Sequence, residues 1–128
     1  MPVPEITALF AGILGLMAIG LGATAGLYRA KNEISLGDGG DPALLLRMRR
    51  HANFVENVPL ALILFALLDM QGVRSTASYA LGAALVTGRV LHWVGFNDNA
   101  RNPLRGLGSG LTTLSIAVAA VWNILRFF

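Results

Sequence analysis

Four long apolar segments, each about the length a membrane helix needs, constrain this chain more than any other feature. A spanning helix requires about 20 mostly apolar residues. Four stretches meet that length: roughly 6–28, 44–68, 77–96 and 107–127. They are too long, and too continuous in their apolar character, for the alternating strands of a membrane barrel. The expectation is an all-α integral membrane four-helix bundle, one domain over residues 1–128. Composition agrees: 55% of residues are hydrophobic and only 13% are charged, against about 25% charged in ordinary soluble domains. So few charges cannot clothe a surface that faces water all round. The start of the chain, Met1-Pro2-Val3-Pro4-Glu5, has neither the basic stretch nor the small-residue cleavage site of a signal peptide, so the first apolar segment is expected to stay as a helix.

The connections carry turn chemistry. Gly37-Asp38-Gly39-Gly40-Asp41-Pro42 reads as a turn, with Asp41 as N-cap and Pro42 in the first turn of helix two. Residues 69–76 form a tight polar link, and 97–105 holds Asn-Asp-Asn and Asn-Pro. Seven cations (Arg29, Lys31, Arg47, Arg49, Arg50, Arg101 and Arg105) lie in or beside the first and third loops. Only Arg74 and Arg126 lie at the other end, and Arg89 sits within span three. That bias predicts loops one and three in the cytoplasm and both termini outside. Gly22/Gly26 and Gly106/Gly110 are spaced for close helix approach, within the chain or between copies.

Ionisable residues inside apolar spans carry the functional signal. On helix two, spacings of three and four place Arg49, Asn53 and Glu56 on one stripe, with Arg50 and Asn57 on the next. On helix three, Arg89, His92 and Phe96 share a face, and Trp93 and Phe96 are placed as interfacial aromatics. An unpaired charge near the bilayer interior is expensive. Two readings stay open from the residues alone. One is a structural ion-pair network of Arg49, Glu56 and Arg89. The other is a polar pocket for an anion, favoured by the surplus of arginine, whose planar fork binds carboxylates bidentately. With no cysteine, and His51 and His92 lacking ligand spacing, no metal site is expected. The absence of an acid at mid-membrane speaks against a proton-coupled transporter, and no nucleotide or Ser-His-Asp signature is present.

The stretch Asp41-Pro42, Arg49-x-His51-x-Asn53-x-x-Glu56 and Pro59 resembles the helix-two signature of the MAPEG family, membrane-associated proteins in eicosanoid and glutathione metabolism. Arg89-x-x-His92 with Arg101-x-Pro103-x-Arg105 resembles the segment from helix three to helix four in its prostaglandin E synthase branch. The overall character is that of small bacterial members, which implies an inner-membrane location. The resemblance implies a homotrimer with pockets between subunits and glutathione as the ligand. It implies that Arg105 stands beside the thiol and activates it, and that Arg29, Arg49, Arg50, Asn53, Glu56, Arg89 and His92 bind the peptide. The implied function is a glutathione-dependent transferase or peroxidase acting on lipophilic electrophiles. The rival is a non-catalytic binding or scaffold protein using the same pocket. Departures from the synthase pattern bear on that choice: Ala52 in place of an arginine, Phe96 and Ser109 in place of tyrosines, and Gly106 in place of a serine.

Overall fold

A computed structural model describes residues 3–128. The chain forms four helices: α1 (Glu5–Lys31), α2 (Pro42–Met70), α3 (Ser75–Gly95) and α4 (Pro103–Leu125). They overlap the four expected segments. α1 and α2 extend beyond them by a turn or less at each end, and α4 starts four residues earlier than expected. The early start has a local cause. Asn102 caps the N-terminus by accepting from the backbone N–H groups of Leu104 and Arg105, and Pro103 occupies the first turn. Asp41 caps α2 in the same way, through Ala43 and Leu44, with Pro42 following it. Pro59 lies inside α2, and the helix runs through it from Pro42 to Met70.

Three of the helices, α1, α2 and α4, are long and apolar enough to cross a membrane. α3 has 21 residues, about 32 Å at 1.5 Å per residue, which matches a hydrocarbon core of about 30 Å. Its apolar character is diluted by Ser78, Arg89 and His92, which it buries against the other helices. It is long enough to span, and these three polar side chains are shielded by protein.

Around the bundle the order is α1, α2, α4, α3, and α1 and α4 do not meet among the described residues. Leu14, Leu21, Phe54, Val58, Ala61, Phe65, Leu68, Leu85 and Ala119 fill the centre. α3 and α4 pack most closely. A Cβ added at Gly88 would stand 3.0 Å from the Gly108 carbonyl oxygen and 3.1 Å from Thr112 Oγ1. One added at Gly108 would run into the backbone of His92, and one at Gly95 into the backbone of Arg105. The glycines marked by sequence spacing behave differently. Gly26, Gly106 and Gly110 face open space on the protomer, while Gly22 lies against the His51 ring.

At the end opposite the arginines, Asp69 joins three helices. Its carboxylate accepts from the backbone N–H and the hydroxyl of Thr7, both at 2.8 Å, and from the hydroxyl of Ser78.

Candidate functional site

The arginine-rich end holds a continuous chain of polar and aromatic contacts across α2, α3 and α4. Arg89 Nη2 donates to Asn53 Oδ1 at 2.9 Å and lies 3.2 Å from His92 Nδ1. The His92 ring stands 5.0 Å from that of Phe96. The Arg105 guanidinium lies over the other ring neighbour, Phe96, 4.1 Å from its centroid, a cation–π geometry. Arg50 donates through Nε and Nη2 to the Phe96 carbonyl oxygen, at 2.7 and 2.5 Å. That carbonyl is one of the acceptors a helix C-terminus leaves free. Phe96 is therefore buried as the hub between Arg50, His92 and Arg105. The interfacial position expected for it is corrected: the two arginines and the close approach of Gly95 to α4 draw the ring inward. Trp93, on the other face of α3, is exposed.

The helix-two stripe divides. Arg49 and Glu56, two turns apart, approach to 3.9 Å with side chains 55% and 56% exposed. Asn53, between them in sequence, turns inward to Arg89. The expected network of Arg49, Glu56 and Arg89 is thus two separate systems, an outward ion pair and an inward hydrogen bond from the Arg89 cation to the neutral Asn53 amide. Arg89 and His92 are each only 2% exposed. They support Asn53 and Phe96 from within the bundle, whereas Arg49, Arg50, Glu56 and Arg105 present charge at or near the surface. Arg29 lies elsewhere in the protomer. Its Nη2 donates to Met48 Sδ at 3.2 Å, and it lines a pocket with Gly26, Ala30, Glu33 and Ile34. Since α1 and α4 do not meet, Arg29 and Arg105 are not brought together within one protomer.

Beside Arg29, the turn into α2 is braced by a second cluster. Tyr28 donates its hydroxyl to Asp41 Oδ2 at 2.8 Å, and Arg47 lies 4.3 Å above the Tyr28 ring. The bond from Tyr28 first, then the capping N–H groups and the Arg47 charge, hold the Asp41 carboxyl below its usual pKa of 3.8.

A small polar cavity opens below the arginine cluster, lined by Asn53, Asn57, Arg89, Ser109, Thr112 and Thr113. Thr112 and Thr113 were missed in the motif reading. With Ser109 they form a polar strip at spacings of three and four on a mostly apolar helix, a pattern legible in the sequence.

The exposed pair Arg49–Glu56, Arg105 on the Phe96 ring, and the half-buried Asn53 with the buried Arg89 and His92 are the residues that the motifs singled out at this end. A sequence profile of the MAPEG family matches residues 7–125. The inner membrane protein YecN of Escherichia coli strain K12 is 29% identical over 92 residues, covering 72% of this chain and 70% of that protein. YecN of Escherichia coli O6:H1 shows the same identity and coverage. This four-helix membrane protein belongs to the MAPEG family, which includes glutathione transferases and related membrane proteins.

Proposed function

We propose that the protein is a glutathione-dependent membrane transferase that activates the glutathione thiol toward lipophilic electrophiles. The observation that carries this reading is the charge balance at one end of the bundle. Arg49, Arg50 and Arg105 lie at that end, and among the described residues Arg49 pairs with Glu56 while Arg50 and Arg105 meet Phe96 and no carboxylate. Glutathione has two carboxylates, one ammonium and one thiol, so it complements such a surface. Arg49 and Arg50 suit the carboxylates, and the exposed Glu56 suits the ammonium. Asn53 is held in place by Arg89, which His92 backs. Arg29, at the far side of the same end, fits a ligand that extends between neighbouring subunits. That arrangement goes with a homotrimer. It also removes Arg49 and Glu56 from lipid, where an ion pair is poorly tolerated.

Arg105 has the position for thiol activation. Stacked on Phe96 and, among the described residues, without a carboxylate partner, its guanidinium is free to stabilise a thiolate. The thiolate attacks the electrophilic carbon, a C–S bond forms, and the leaving group departs with its electron pair. The electrophile enters from the bilayer. The site faces the cytoplasm of a bacterial inner membrane in this reading, which the arginine bias between loops supports.

The test uses the purified protein in detergent. Added glutathione should give thiolate absorbance in the ultraviolet and conjugate a generic aryl halide. Arg105→Ala should lower thiolate formation more than glutathione binding, and equal losses would reassign Arg105 to carboxylate anchoring. Absence of both binding and conjugation defeats the proposal. Phe96, which has no hydroxyl where the synthase branch has a tyrosine, favours a second reading in which glutathione binds without turnover. Binding with no conjugation or peroxide reduction over a broad panel selects it.

A further inference from the structure

Arg29, in the last turn of α1, has weak partners for a guanidinium. Its Nη2 donates to the thioether sulfur of Met48, across in α2, at 3.2 Å, and a thioether is a poor acceptor. Its Nη1 is buried and, among the described residues, has no hydrogen-bond partner. Glu33 lines the same pocket as Arg29. Among the described residues, however, the ion pair formed is Arg49–Glu56, and no carboxylate lies within pairing distance of Arg29. This half-buried cation therefore finds one sulfur, and no oxygen, for its two terminal nitrogens. A buried donor left in that state is unfavourable.

Met48 is half-buried in the second turn of α2, at the arginine end. Met17 packs against the apolar core, and Met70 closes α2 at the opposite end. Among the described residues, Met48 alone has a sulfur that accepts a hydrogen bond. A hydroperoxide oxidises a thioether by giving it one oxygen. The sulfur lone pair attacks the terminal peroxide oxygen, the O–O bond breaks and an S–O bond forms. Sulfur loses two electrons and the peroxide gains them. The departing alkoxide takes the hydroxyl proton and leaves as an alcohol. A guanidinium beside the sulfur favours this step in two ways. It stabilises the departing anion, and its N–H groups then meet a sulfoxide oxygen, a much stronger acceptor than the thioether.

We propose that Met48 is a reversible oxidation site, converted to the sulfoxide by hydroperoxides, and that the new oxygen is held by Arg29. The sulfoxide gives both terminal nitrogens of Arg29 an acceptor and fixes the end of α1 to the start of α2. Its consequence for the ligand rests on the glutathione reading. A guanidinium engaged by the sulfoxide is withdrawn from the peptide, so peroxide weakens glutathione binding until methionine sulfoxide reductases restore the thioether.

The test treats the full chain in detergent with tert-butyl hydroperoxide and follows the gain of one oxygen at each methionine by peptide mass spectrometry. Met48 should react ahead of Met17 and Met70. Arg29→Leu should slow oxidation of Met48 about tenfold, the weight of one hydrogen bond to a charged donor. In a background of Met17→Leu and Met70→Leu, oxidation should leave the unfolding temperature unchanged or higher where Arg29 is present, and lower it where Arg29 is replaced by Leu. With the peroxide removed, the oxidised background should bind glutathione about tenfold more weakly than the untreated one, again the weight of one such bond. The same treatment of Met48→Leu in that background should leave the affinity as it was. Oxidation of Met48 no faster than of Met17 and Met70, or at the same rate in Arg29→Leu, overturns the proposal. An equal drop in unfolding temperature with and without Arg29 overturns it too, since that is plain damage to packing. Unchanged glutathione affinity after oxidation removes its regulatory part. If the untreated protein binds no glutathione, the transferase reading falls, while the oxidation rates and unfolding temperatures still decide the Met48 site.

Discussion

At the residue scale, the most consequential contact is the bond from Arg89 to Asn53. Asn53→Ala removes the one side-chain oxygen from α2 that meets the guanidinium. Loss of an acceptor to a buried charged donor costs about 2 kcal/mol, so the variant should unfold at a clearly lower temperature in detergent. A change at the exposed Arg49, such as Arg49→Gln, should have a much smaller effect, because half-exposed pairs contribute little. The sequence pattern made one of these relations legible and hid the other. Arg49 and Glu56 are seven residues apart, two turns of one helix, and their pairing follows from helix geometry. Asn53 shares their stripe, yet its direction depends on where α3 lies relative to α2. No spacing within α2 carries that information. For the same reason Arg89 was grouped with Glu56, although it meets Asn53.

At the scale of elements, local chemistry and tertiary packing separate cleanly. The Asp41-Pro42 start of α2 was readable because a cap is made with residues two and three positions away. It also yields a pH dependence. The folded pKa of Asp41 is depressed, so its contribution is fully present above the usual carboxylate value of 3.8. That contribution is lost as pH falls through the lower folded value. Asp41→Asn retains a capping oxygen and removes the charge. Its unfolding temperature should lie below that of the parent at neutral pH, and the gap should close in strong acid. The helix contacts made by glycine were not readable in this way. Spacing marked Gly106 and Gly110, while the close approach of α3 to α4 uses Gly88, Gly95 and Gly108. A glycine pair shows where a backbone is bare but not which face meets another helix. Gly108→Ala should strongly destabilise or prevent folding, since its Cβ meets the His92 backbone. Gly106→Ala meets nothing in the protomer and should be tolerated there. Yield and unfolding temperature in detergent distinguish the two.

At the scale of the whole molecule, the two ends of the bundle have different tasks. The arginine end concentrates positive charge, and the far end is closed by Asp69, which links α1, α2 and α3. Asp69→Ala should therefore lower stability while leaving intact, at the same temperature, the thiolate signal that the proposed function expects on adding glutathione. A parallel loss of both would mean that the ends are coupled through the helices. The close α3–α4 contact adds a mechanical consequence. Helices that touch backbone to backbone, through three glycines, have no side-chain cushion along which to slide. α3 and α4 are therefore held in fixed register as one rigid pair. The seams that this pair makes with α1 and α2 are the looser ones, and at the far end the Asp69 carboxylate ties α3 to both of those helices.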